Sequence, residues 1–203
     1  MIDFHGAAKK LDDIDLPRIG ALISVGEDEI HAILDVESSG SGFDAQGRPK
    51  ALYEPHLAYR LSSGSVRERL VTAGLAYPRW GEHPYPKDSY ARILVAQSID
   101  ETVALKATSW GLGQILGSNH KAAGYDTPQA MVLAFCASEA AQLKGVVNFI
   151  KANGLAGALR SHDWVKLAEG YNGKSEAMHG YHTKLSAAFR KWQAIPDTPT
   201  GVS

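Results

Sequence analysis

The chain has 203 residues, of which 44% are hydrophobic and 21% charged, with a formal net charge of −1. This length holds one ordinary domain with a sizeable core, and the balance excludes a disordered chain and any global electrostatic pull toward nucleic acid or membranes. The single cysteine, Cys136, excludes an internal disulfide framework, and its setting MVLAFCASEAA reads as a buried helix face, a core thiol rather than a nucleophile.

The first residues, MIDFHGAAKKLDDID, are charged throughout and contain no apolar signal-peptide core, and no stretch approaches the roughly 18 unbroken apolar residues of a membrane span. The product is therefore expected to be made, and at first to stay, in the cytoplasm. Helices are predicted over Asp15–Ser24 and Glu27–Glu37, joined at Gly26. The second runs into DVESSGSGF, which places the Glu37 carboxylate at the foot of a helix beside a polar turn. GSGFDAQGRPKALYEP then reads as a β-hairpin, with Phe43 on the outgoing arm, a turn at residues 45–48 and residues 51–53 on the return arm.

Helices follow at His56–Ser62 and Val66–Ala73, then a Pro/Gly-rich loop, YPRWGEHPYPKDSY, and a helix over Asp88–Ile99. Ser109–Leu116 is predicted as a short helix capped by Ser109. The clearest helix spans Thr127 to about Asn153, opened by Thr127-Pro128 and stopped by Asn153-Gly154, with Ser138 interrupting its apolar face. Helices over Ser161–Tyr171 and Glu176–Trp192 close a single domain, residues 1–195, and residues 196–203 read as a frayed tail. The class is α+β, mostly α, with one small hairpin beside the Glu37 helix.

The return arm of that hairpin ends at Glu54, so an out-and-back path would set Glu37 and Glu54 on opposite walls of one cleft. Glycoside hydrolysis uses such a pair: one acid protonates the leaving oxygen, and a second carboxylate activates water or attacks the anomeric carbon. Partial burial at a helix end would raise the acid's pKa as that role requires. The competing reading of Glu54, which precedes Pro55, is a cap on the next helix.

TSWGLGQILG at residues 108–117 and AEGYNG at 168–173, taken with VESSG, resemble in order and spacing the three signatures of goose-type lysozymes and soluble lytic transglycosylases. The chain from about Ile19 to Trp192, including GRPKALYEPH and SHDWVKLAEGYNG, resembles still more the N-acetylmuramidase family of bacteriophage endolysins. The resemblance implies a lysozyme-like fold, cleavage of the β-1,4 bond between N-acetylmuramic acid and N-acetylglucosamine, and no metal or cofactor. It carries Glu37 over as the general acid and Glu54 as the second carboxylate.

The residues of the other signatures fit a sugar cleft. Gly111 and Gly113 would let a sugar approach the backbone closely, and Gln114 offers a donor and an acceptor to an N-acetyl group. Gln114 could equally be a surface helix residue, and Trp110 is placed on the core side. Tyr171 and Asn172 are ordinary helix-end chemistry by themselves and cleft residues by the resemblance. Ser39 would hold the acid, the sugar or the turn backbone. His56 is a candidate support for the site or a structural hydrogen-bonding group. His179 and His182 have helical spacing without a zinc signature around them.

Three functions follow: a muramidase using Glu37 and Glu54, a lytic transglycosylase using one acid and forming anhydro ends, and a non-catalytic sugar-binding module. The partner is the glycan strand of bacterial peptidoglycan, with no nucleic acid, and a monomer is expected. The setting expected of the first is a phage endolysin held in the host cytoplasm until a holin releases it onto the periplasmic wall, an injected antibacterial effector being the other. Only about 18 residues precede the family region, too few for a wall-binding module. The last helix is basic and amphipathic, with Lys184, Arg190 and Lys191 beside Leu185, Phe189 and Trp192. It is expected to pack on the core rather than on a membrane.

Overall fold

The computed structural model describes residues 1–37, 40–172 and 180–199. Helix α1 (Asp15–Gly20) runs through a short 3-10 turn into α2 (Glu27–Glu37). Strand β1 (Ala51–Tyr53), helices α3 (Pro55–Leu61) and α4 (Gly64–Thr72), and, after the Pro/Gly-rich loop, α5 (Tyr90–Ile99) and α6 (Glu101–Lys106) come next. Strands β2 (Thr108–Trp110) and β3 (Ile115–Leu116) precede α7 (Pro128–Ala137), α8 (Glu139–Ala152), α9 (Ala156–Arg160), α10 (Trp164–Asn172) and α11 (Tyr181–Trp192). The strands form one antiparallel sheet in the order β1-β2-β3, with Leu52 opposite Ser109 and Trp110 opposite Ile115. The mostly helical class with a small β element is as the sequence predicts.

Two predicted helices are corrected. Ser109–Leu116 is a β-hairpin, because Thr108–Trp110 pairs with β1 and Gly111, at φ +70°, turns the chain back. The helix expected over residues 127–153 breaks at Ser138, which is extended (φ −163°, ψ 153°) and caps α8 by accepting from the Ala141 amide at 3.1 Å. The N-terminal segment is what opens the break. Lys9 bridges Ser138, the Lys9 amide donates to Ala137 O at 3.0 Å, and the Glu139 amide donates to Lys9 O at 2.9 Å.

Trp110 is fully buried, stacked on Phe4 with centroids 5.5 Å apart, and its indole N–H donates to Leu105 O at 3.0 Å. It belongs to the core, as its aromatic neighbours Phe4 and Tyr90 do. Cys136 is buried too, and burial pushes its thiol up to about 12, so it stays protonated at neutral pH.

Helix α2, with Glu27, Asp28 and Glu29 in its first turn where the dipole favours anions, buries Ile30 and Ile33. Helix α11 lies along it: the Trp192 ring stacks on His31 at 3.6 Å, and Lys191 Nζ and Trp192 Nε1 both donate to Asp35 Oδ2 at 3.0 and 2.9 Å. Leu185 and Phe189 are buried, so the apolar face of this basic helix is turned onto the protein. The tail also folds back, for the Thr198 amide donates to Glu27 Oε1 at 2.7 Å.

Candidate active site

Helix α2 ends at Glu37 on the rim of a cleft of about 570 Å³. One wall is the loop carrying Ser41, Asp44, Gln46, Arg48 and Lys50, with Ala51 of β1. Gly111, Leu112 and Gln114 of the β2–β3 turn and Lys87, Asp88, Ser89 and Tyr90 complete the lining. The structure thus brings Glu37 and Gln114, 77 positions apart, to one cavity.

The predicted hairpin exists, but tighter and in two parts. Its tip is closed by Asp44, whose amide donates to Arg48 O at 2.9 Å and whose carboxylate accepts from the amides of Gln46 and Arg48. Below it Phe43 bridges Pro49, and the Lys50 amide donates to Gly42 O at 2.8 Å. From Ala51 onward the return arm leaves the outgoing arm and pairs with β2 instead.

This change of partner carries Glu54 past the cleft, and Glu54 does not line it. Glu54 sits at the N-terminus of α3 in extended conformation, its carboxylate accepting from Tyr85 Oη at 2.7 Å, with His56 Nδ1 3.5 Å away. Burial holds His56 below its ordinary pKa although the Glu54 charge opposes that, so His56 is neutral near pH 7. Glu54, expected as the second carboxylate, thus stands at the junction of β1 and α3 with Tyr85 and His56 around its carboxylate.

Gln114 lines the cleft from a strained turn position (φ +47°), its side-chain amide donating to Gly111 O at 2.9 Å. The glycines beside it answer to the protein rather than to a ligand. A Cβ on Gly113 would collide with Val146 and with the Tyr171 hydroxyl, and one on Gly111 would collide with Gln142. The Tyr171 hydroxyl donates to Gly113 O at 3.1 Å, and burial together with the nearby Glu37 charge keeps its pKa well above the usual phenol value. Tyr171 is thus a permanent donor fastening the turn close to Glu37. Ser39, His179 and the side chain of Asn172 lie outside the described residues.

Two residues that the sequence reading passes over hold segments beside the cleft. Gln142, fully buried on α8, accepts from the Leu112 amide at 2.8 Å and donates to Phe135 O at 2.9 Å. Glu139, one turn earlier, accepts from Gly42 N at 2.8 Å, Leu11 N at 3.0 Å, Ser41 Oγ at 3.0 Å and Lys10 Nζ at 3.2 Å. Burial disfavours its charge, but these donors outweigh burial and hold the carboxyl below its ordinary pKa. Their signal in the sequence is a pair of polar residues at i, i+3 on an otherwise apolar helix face.

Three carboxylates and three cations line the cleft. Arg48 sits over the Tyr90 ring at 3.8 Å and ion-pairs with Asp44 at 2.7 Å and Asp88 at 3.4 Å. Asp88 also accepts from the Tyr90 amide at 2.8 Å. Both aspartates are thus committed to Arg48 and to backbone N–H groups. Among the described residues no group of three His, Cys, Asp or Glu side chains is placed to hold a metal.

A family model described as N-acetylmuramidase matches residues 27–193. The crystal structure of the Burkholderia AP3 phage endolysin is similar to this chain, with a TM-score of 0.82 and 38% sequence identity over 96% of this chain and 74% of that one. No curated protein sequence matches significantly.

Proposed function

We propose, from the premise that the chain belongs to the N-acetylmuramidase family and is a peptidoglycan hydrolase, that it cleaves the β-1,4 bond between N-acetylmuramic acid and N-acetylglucosamine with Glu37 as general acid. The observation that carries this is the position of Glu37 at the end of α2 on the cleft rim, with Gln114 facing the same cavity. Glu37 protonates the glycosidic oxygen as the bond to the anomeric carbon breaks, and Glu54 as second carboxylate activates the incoming water or attacks the anomeric carbon. Gln114 presents amide groups to an N-acetyl substituent, with Ser39 and Asn172 as further sugar contacts by family resemblance. The setting that suits this activity is that of a phage endolysin, one domain acting on the periplasmic wall after release from the host cytoplasm.

Glu54 is proposed as the second carboxylate, held by Tyr85 at the start of α3 and standing outside the residues that line the cavity. That same observation favours a second reading, lytic transglycosylase chemistry, in which one acid/base suffices and the muramic 6-hydroxyl closes an anhydro ring. Mass spectra of the muropeptides released from purified peptidoglycan decide between them. Reducing muramic ends are expected, anhydro ends would establish the second reading, and no release at all would leave a binding module.

A further inference from the structure

The cleft lining carries a cation that bond cleavage does not use: Lys87, near an Arg48 that ion-pairs with Asp44 and Asp88. Lys87 is exposed, yet its backbone is pinned on both sides. Two residues before it, Tyr85 donates to Glu54 at 2.7 Å; the next residue, Asp88, bonds the Tyr90 amide and Arg48; and beyond that Ser89 Oγ accepts from the Tyr53 amide at 3.2 Å. A lysine at a tip so fastened is held at the cleft rather than swept through solvent, which lowers the entropy lost when it pairs with an anion.

Resting on the reading of this cleft as a peptidoglycan site, we propose that Lys87 forms a carboxylate-binding subsite that reads the 3-O substituent of muramic acid. A glycan strand is uncharged except on that arm, where the lactyl group or the attached peptide stem supplies carboxylates, so an exposed cation in a glycan cleft has this one class of substrate anion to meet. Tyr85, bonded to Glu54, then serves as a positioning residue that sets the height of the Lys87 loop.

The test compares KM on intact peptidoglycan with KM on the same material after carbodiimide amidation, which removes the charge and keeps the stems. The wild type is expected to show a KM about three- to fivefold higher on the amidated wall, the size of a solvent-exposed ion pair. In Lys87→Ala this ratio is expected to collapse toward one, in Lys87→Arg to persist, and in Lys87→Glu to invert. A wild-type ratio of one, or a ratio unchanged in Lys87→Ala, overturns the proposal. Amidase-stripped glycan, which keeps only the lactyl carboxylate, separates the two sources. Sensitivity to Lys87 that persists on it assigns the lactyl group, and sensitivity lost with the stems assigns the peptide. Wild-type inactivity on every substrate would sink the cleft assignment itself, an outcome distinct from a flat ratio.

Discussion

Glu139 and Gln142 stand one turn apart on α8 and each holds a different segment beside the cleft, the first through Gly42 of the hairpin and the second through Leu112 of the β2–β3 turn. The width of the cavity is thus set by a helix that contributes no lining residue to it. Gly42 has no room for a Cβ because Gln142 occupies that space, so hairpin, turn and helix are fitted to one another.

Replacing Gln142 with leucine strands the Leu112 amide and the Phe135 carbonyl without partners. A loss of about 1–3 kcal/mol in folding stability is expected, measured by urea unfolding, together with reduced kcat. Stability equal to wild type would mean that water replaces the side chain and that the turn needs no such clamp.

Glu37→Gln keeps the size of the side chain and removes its proton. Muropeptide release is expected to fall by about 10²–10⁴-fold with an unchanged circular dichroism spectrum. Residual activity within tenfold of wild type would move the acid to another residue.

Glu54→Gln and Tyr85→Phe alter the same hydrogen bond, but only the first removes the proposed second carboxylate. Glu54→Gln is expected to lower kcat by about 10²-fold or more, whereas Tyr85→Phe raises KM severalfold and leaves kcat within about threefold. A kcat in Glu54→Gln within about threefold of wild type would exclude Glu54 as a catalytic carboxylate.

Stability is expected to fall on the acid side in two steps. Burial, only partly offset by neighbouring carboxylates, holds His31 and His56 below the ordinary value of 6.5. The unfolded chain therefore binds more protons than the folded one once the pH drops below 6.5, and stability complete above that point is lost beneath it. A second loss begins below 4.5, as Glu139 is protonated through its lowered folded pKa. Urea midpoints between pH 8 and 3 report both steps, and His31→Tyr, which keeps a ring against Trp192, should flatten the upper one. An upper step identical in that variant rules out His31 as its source.

The helical frame was legible because most of its helices carry their own periodicity and caps, as α2 does with its acidic first turn. The position of Glu37 was legible for a related reason: it follows directly from the end of a patterned helix. The partner of the return arm was not legible because a hairpin read from its own turn residues says nothing about which strand that arm will join, and β1 pairs across 55 or more positions with β2. The β2–β3 hairpin was hidden for the same reason. The break at Ser138 depends on residues 6–9, distant in sequence, and no local window contains both partners.

The bridge from Lys9 to Ser138, together with the bonds from Leu11 and Gly42 to Glu139, gives the molecule an order of assembly. Residues 8–11 lack the partners for these bonds until the break before α8 has been synthesised. Closing so long a loop is slow, and helices α2 to α6 can fold from local contacts well before it happens. Refolding should accordingly show helix formation ahead of the recovery of glycan-cleaving activity, the cleft being the last part of the protein to take shape.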